Sequence, residues 1–220
     1  MSLEARSLTF RYPRRGQEPV LEHVNLTLEP GERVGLTAPS GRGKTTLCKL
    51  LAGYERPTAG EVLLDGRPLS QYRGACPVQM IWQHPETVLD PLLPLEVSLK
   101  EAGPVEERLL EELHIQPQWL RRYPQELSGG ELQRFCIARA LGRATRYLLC
   151  DEITAMLDPI TQTQIWDFLL REAERRNLGL LIVSHNAPLL ERVCTRVEVL
   201  SSPLEKNDAP LLTWSALQGI

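Results

Sequence analysis

No Cys-x-x-Cys spacing occurs in this 220-residue chain. Its five cysteines, Cys48, Cys76, Cys136, Cys150 and Cys194, are odd in number and scattered. That pattern argues against a zinc site and fits a reducing, cytosolic compartment best. The opening residues "MSLEARSLTF" carry no apolar signal region. The longest apolar run, near "LGLLIV", is far too short to span a bilayer, so work at a membrane would need other subunits to hold the chain there. Charge of one sign is missing as well. Lys plus Arg number 25 against 28 Asp plus Glu, a net −3, which gives no global argument for nucleic-acid binding. Internal repeats, low-complexity tracts and long coiled-coil segments are absent. What is present is a 42% hydrophobic chain, enough for one sizeable domain with a buried core and room for a small subdomain.

Short apolar strands alternate with helices. "HVNLTLEPGE" places Val24, Leu26 and Leu28 at alternate positions and meets Pro30-Gly31, a strand followed by a turn. "RVGLT" reads as a second strand that feeds a glycine-rich loop, and "KTTLCKLLAG" as a helix ending at Gly53. "EVLLDGRPL" reads as a strand with an Asp65-Gly66 turn, and "VQMIW" as a strand ending at Gln83. Residues 84–127 change texture, from the proline-rich "HPETVLDPLLPL" to the helix "VEERLLEELHI", and read as a separate helical lobe. The core then resumes with the helix "ELQRFCIARAL", the buried strand "RYLLCDE", the amphipathic helix "TQIWDFLLREAERR" and the buried strand "GLLIVSH". This alternation implies an α/β domain with a mainly parallel sheet and helices on both faces, its core built from 1–83 and 128–220.

Three stretches carry chemistry. In "TAPSGRGKTTL", Gly41 and Gly43 let backbone N–H groups turn toward phosphate oxygens. Lys44 brings a point charge to the β and γ phosphates, and Thr45 offers a hydroxyl to Mg²⁺. The first glycine of the phosphate-loop pattern is replaced by Ala38, which a negative φ would tolerate. The bland alternative is a glycine-rich turn with no ligand. In "YLLCDE", Asp151 and Glu152 end an apolar strand, at the edge where parallel sheets bind ligands. Asp151 suits Mg²⁺, and Glu152 suits an attacking water; acids that merely cap a strand are the competing reading. In "LSGGELQR", Ser128 is an N-cap, and Gly129 and Gly130 bare the first turn of a helix. One nucleotide does not need two such termini from one subunit, so the second suits a nucleotide held by another subunit.

Together these segments resemble the ATP-binding cassette (ABC) ATPases, and the resemblance runs in order along nearly the whole chain. "APSGRGKTT" is similar to the phosphate loop, "LSGGELQ" to the family signature and "YLLCDE" to the magnesium strand. The resemblance implies ATP and Mg²⁺ as ligands and a P-loop NTPase core with an N-terminal antiparallel β portion and a small helical subdomain. It implies phosphate contacts from Ser40, Gly41, Gly43, Lys44, Thr45 and Thr46, and a stacking aromatic for adenine at Tyr12 in "FRYP". Gln83 resembles the glutamine that senses magnesium and water, Asp158 in "AMLD" the loop that crosses a dimer interface, and His185 in "VSH" the switch histidine at the γ-phosphate. Thr45, Gln83 and Asp151 would serve the metal; Glu152, His185 and Gln83 would serve catalysis; Ser128, Gly129 and Gly130 would close on the nucleotide of a facing subunit.

"QHPETVLDP", "YPQELSGG" and "DEITAMLDPITQTQIW" resemble the peptide and nickel importers within that family. The chain stops soon after "VEVLSSPLEKNDAP", without the C-terminal extension of the peptide members. The implied partners are membrane-spanning permease subunits, a second ABC ATPase subunit in a homo- or heterodimer and, indirectly, a substrate-binding protein, at the cytoplasmic side of the cell membrane. Nucleic acid is not an expected partner. The competing reading is a soluble ABC-type ATPase of a cytosolic complex, such as those of phosphonate breakdown. A decayed cassette rests on Ala38 alone. Arg42 is expected to face solvent, and the apolar tail "LLTWSALQGI" to pack on the chain's own core.

Overall fold

A computed structural model describes residues 1–13, 18–101 and 103–200, together with the backbone of residues 212–213. Among the described residues, ten strands and six α-helices follow one another in two sheets and a helical lobe. The first sheet is antiparallel, in the order β2-β1-β4-β5, from β1 (Leu3–Phe10), β2 (Leu21–Leu28), β4 (Ala59–Leu64) and β5 (Arg67–Pro68). β4 and β5 are joined through Asp65 and Gly66, both at positive φ, the conformation a tight hairpin turn demands. β1 alternates only over Leu3–Ala5. Its burial breaks at Arg6 and Ser7, where the pairing with β2 and β4 shifts register and Ser7 adopts a φ of 47°. Gly60 lies across this bulge; a Cβ there would sit 2.3 Å from the Ser7 carbonyl, so only glycine fits.

The second sheet runs β10-β9-β3-β8-β7-β6. β3 (Arg33–Thr37), β6 (Val78–Ile81), β7 (Tyr147–Asp151), β8 (Gly179–Val183) and β9 (Arg196–Val199) are parallel, and β10 (Leu212–Thr213) pairs antiparallel with β9. β7 and β8 are buried at every position, as their unbroken apolar runs require of strands covered on both faces. α1 (Lys44–Leu51) packs with β3, β7 and the antiparallel sheet in one apolar cluster. On the other face α4 (Gly129–Ala140), α5 (Pro159–Arg176) and α6 (Ala187–Val193) form a second cluster. Leu95 and Leu99 of α2 (Leu95–Lys100), Leu109 of α3 (Glu107–Glu112) and Leu113 just beyond it join the same cluster from residues 84–127. Apart from α2 and α3, that stretch contains short 3-10 turns and, among its described residues, no strand.

A buried carboxylate ties α3 to α5. Glu172 of α5 accepts from Arg108 Nη2 at 2.9 Å and from Arg175 Nη2 at 2.6 Å, with Arg176 at 3.5 Å. Arg146 grips Asp65 through two nitrogens at 2.7 and 3.1 Å, joining the β4–β5 turn to the start of β7. Among the described residues no helix is long and apolar enough to cross a membrane. The tail "LLTWSALQGI" lies outside the described residues apart from the backbone of Leu212–Thr213.

Candidate nucleotide site

The parallel strands deliver the chemistry at their C-terminal ends: β3 ends in the phosphate loop, β6 runs into Gln83, β7 ends at Asp151, and β8 leads to His185. Gly41 and Gly43 have φ of 78° and 88°, the left-handed region that glycine enters without penalty. The loop turns there, and α1 starts at Lys44 with its N–H groups directed back over the turn. Lys44 is 6% exposed, and its ammonium donates to the carbonyls of Ala38 at 2.8 Å and Pro39 at 3.3 Å. Burial lowers its pKa, an effect opposed by the nearby Glu152 and Asp151 charges.

Glu152 is a non-glycine residue at φ 50°, a conformation that costs roughly 1–3 kcal/mol and collects at functional sites. The turn swings its carboxylate out of the sheet to within 2.9 Å of His185 Nε2 and 4.0 Å of Lys44 Nζ. His185 Nε2 also lies 3.1 Å from Lys44 Nζ, so the three groups form one polar cluster. Beneath it Asp151 is 3% exposed, and burial raises its pKa even though the Thr45 hydroxyl hydrogen-bonds its carboxylate. These groups open onto a cleft of about 780 Å³ lined by Tyr12, Val20, the residues Ser40 to Thr46 apart from Arg42, Gln83, Glu152 and His185. Tyr12 is positioned by edge contact with Phe10, centroids 4.7 Å apart, and its hydroxyl lies 3.2 Å from Thr46 Oγ1.

The remaining candidates line a different cleft. Ser128 caps α4 and forms a reciprocal box with Glu131: the Ser128 N–H and hydroxyl donate to Glu131 Oε2 at 2.7 and 2.8 Å. Gly129 and Gly130 follow, and a Cβ on Gly129 would meet nothing within 4 Å. Asp158 caps α5, accepting from the Ile160 and Thr161 N–H groups at 3.0 Å each. Hydrogen bonding from Thr161 lowers its pKa. Ser128, Gly129, Gly130 and Asp158 share a cleft of about 970 Å³ that also contains Gln83. The chain thus brings Tyr12, Ser40–Thr46, Glu152 and His185 together, holds Ser128–Gly130 and Asp158 apart from them, and lets Gln83 face both groups.

Residues 21–155, more than half of the chain, match the ABC transporter family. This chain belongs to that family. The cassette is 35% identical over 215 residues to the methionine import ATP-binding protein MetN of Staphylococcus saprophyticus, covering 91% of this chain and 63% of that protein. It is 34% identical to the methionine import ATP-binding protein MetN 2 of Staphylococcus epidermidis, with the same coverage. The chain therefore spans 63% of the length of these curated relatives. Among solved structures it resembles an ATP-binding subunit of an ABC transporter, with TM-score 0.79 and 26% identity over 90% of this chain and 85% of that one. It also resembles a dimeric ATP-binding cassette in a post-hydrolysis state bound to ADP and Pi, with TM-score 0.78 and 26% identity over 90% of this chain and 94% of that one.

The cassette accommodates Ala38 without strain: φ there is not positive, and the methyl is buried in the apolar cluster of α1 and β3. Arg42, expected to face solvent, is half-buried. Among the described residues no three His, Cys, Asp or Glu side chains form a metal cage of their own. Thr45 and Asp151 instead offer the oxygen donors that fit Mg²⁺, which keeps several waters and completes its shell with phosphate oxygens. Sequence reasoning missed Val20, which lines the cleft and lies 3.0 Å from where a Gly43 Cβ would point. It also missed Glu131, although the spacing Ser128-x-x-Glu131 of a capping box was there to be read.

Proposed function

We propose that this cassette is the ATP-binding and ATP-hydrolysing subunit that energises an ABC importer at the cytoplasmic side of the cell membrane. The observation that supports it best is the convergence of Lys44, Glu152 and His185 on one cleft, above Thr45 and the buried Asp151. Tyr12 stacks on adenine, and the backbone N–H groups from Ser40 to Thr46 hold the phosphates. Lys44 gives up its loop carbonyls to meet the β and γ phosphates. Glu152 holds the attacking water and takes its proton; Gln83 orients that water; His185 leaves Glu152 to contact the γ-phosphate. When bound, Mg²⁺ supplies charge neutralisation across the phosphate oxygens, with Thr45, Asp151 and Gln83 as its protein side.

Ser128, Gly129, Gly130 and Asp158 act toward the nucleotide of a second ABC ATPase subunit, in a homo- or heterodimer. The closed pair gains γ-phosphate contacts that the open pair lacks, and hydrolysis removes them. The motion passes to membrane-spanning permease subunits and indirectly to a substrate-binding protein; nucleic acid is no partner. Two substrate classes each have an observation behind them. "QHPETVLDP" and "DEITAMLDPITQTQIW" favour a nickel or peptide solute, and the names of the relatives favour methionine. Residues 1–220 work as one domain, with 84–127 as its helical subdomain.

Glu152→Gln should bind ATP yet hydrolyse it at least about 100-fold more slowly. Hydrolysis at the wild-type rate would remove Glu152 from this role. The same variant, tagged and captured with ATP from solubilised membranes of the native host, should bring down a multi-span permease. Recovery of soluble partners only, with the protein missing from the membrane fraction, would sink the importer reading in favour of a cytosolic ATPase complex.

A further inference from the structure

β6 ends at Ile81, and the next seven residues carry Gln83 between the two clefts. Three side chains of α4 reach the backbone of that segment. Gln133 Nε2 donates to the Trp82 carbonyl at 3.4 Å, the Cys136 thiol to the Pro85 carbonyl at 3.9 Å, and Arg139 Nη1 to the Val88 carbonyl at 3.3 Å. The donors are spaced three residues apart on one helix face, and the acceptors are spaced three apart along the segment. Gln133 is 1% exposed, so its amide is a buried polar group held against the carbonyl next to Gln83 and not a surface residue. The Trp82 ring makes edge contact with Tyr54 at 5.3 Å and has the Lys49 ammonium 5.3 Å from its centroid.

The helix is braced in turn. Arg134, the neighbour of Gln133, is buried and donates to the Leu113 carbonyl and to Gln164 Oε1, both at 2.8 Å. α4 is therefore fixed to the end of α3 and to α5 while it holds the Gln83 segment. Its N-terminus is Ser128. We propose that Gln133 is a positioning residue for Gln83: its amide, fixed on α4, holds the Trp82 carbonyl and so sets where the Gln83 side chain stands. This inference rests on the reading of Gln83 as the residue that orients Mg²⁺ and water.

The test uses Gln133→Met, which keeps the volume and removes the donor. Hydrogen exchange of residues 82–88 should accelerate while that of α1 stays at the wild-type rate. In the Glu152→Gln background, the Mg²⁺ concentration for half-maximal binding of a fluorescent ATP analogue should rise about tenfold, as when an outer-shell partner is lost. In the parent, kcat should fall about 10- to 100-fold with KM for ATP within about threefold. Wild-type exchange over residues 82–88 together with an unchanged Mg²⁺ dependence would overturn the proposal, as would a uniform loss of stability with kcat and KM moving together. Gln83→Ala is measured alongside. If it leaves the Mg²⁺ dependence unmoved, the role of Gln83 fails, and the exchange readout alone decides whether α4 holds the segment. If Gln133→Met does not fold, Arg139→Ala at the more exposed end of the row is read by the same three measurements.

Discussion

Replacing Glu172 by glutamine should cost this cassette about 3 kcal/mol of stability, near the lower end of what removing one partner of a buried ion pair costs. The magnitude follows from an imbalance in exposure. The Glu172 side chain is 1% exposed, whereas Arg108 and Arg175 are 32% and 47% exposed. The arginines can turn to water, but the new amide cannot. Its oxygen can still accept from one guanidinium, while its NH₂ faces groups that only donate. A buried donor left without an acceptor costs about 1–3 kcal/mol, and the lost charge-assisted bonds add to it. Glu172→Met buries no donor and releases the arginines to solvent, so it should cost less, about 1–2 kcal/mol. At this chain length, 3 kcal/mol corresponds to a fall in Tm of about 6–12 °C.

The assay is urea unfolding and thermal melting of the three proteins across pH. Burial pushes the Glu172 carboxyl up, but hydrogen bonds from Arg175 and Arg108 outweigh it, and the net shift is downward. A lowered carboxyl contributes stability that is fully present above the ordinary glutamate range and is lost as pH falls through the folded value. The gap between wild type and Glu172→Gln should therefore be widest near neutrality and close in acid. A gap below about 1 kcal/mol at neutral pH, or one that widens on acidification, would refute the reasoning.

The phosphate loop offers two further tests. Ala38→Gly restores the usual glycine but removes a buried methyl and frees the unfolded chain, so stability should drop by about 1–1.5 kcal/mol, read by denaturant melts. ATP affinity, read by titration, should stay within about threefold, because the backbone at Ala38 is not left-handed. Gly43→Ala should cost about 2–4 kcal/mol, combining left-handed strain with a Cβ 2.8 Å from Leu21 Cδ2 and 3.2 Å from the Val20 carbonyl. Gly41→Ala should cost about 1–2 kcal/mol, since its Cβ meets nothing within 4 Å and strain acts alone. Equal losses at the two glycines would show that packing against Val20 and Leu21 is irrelevant.

Legibility in the sequence followed local consistency. β7 and β8 were readable because each is a buried apolar run closed by acids or by a polar turn, and β3 because its short buried stretch Val34–Leu36 feeds a glycine loop. β1 was not, because its bulge at Ser7 destroys the period of two that marks a half-buried strand. α2 and α6, of six and seven residues, are too short to show a helical period. α5 begins at Pro159, ahead of its apolar face, because Asp158 caps it and proline suits the first turn. Glu172 is the plainest failure of pattern reading. It belongs to the charged run "REAERR", yet it is buried, and its arginine partner on α3 lies 64 residues earlier. Sequence spacing carries no trace of such a contact.

The two glycine-bearing helix starts differ in what the fold requires of them. Gly43 is demanded from within: its φ is 88°, and Leu21 and Val20 fill the space a side chain would take. Gly129 is not demanded: its backbone is not left-handed, and a Cβ there would stand in the open. The chain's own packing therefore offers no reason for a glycine at this first position of α4. We propose that what needs the bare backbone at Gly129 lies outside the subunit. It is not this chain's own phosphate loop, since Gly129 and Lys44 line different clefts with only Gln83 in common. A nucleotide presented by a facing cassette meets both conditions.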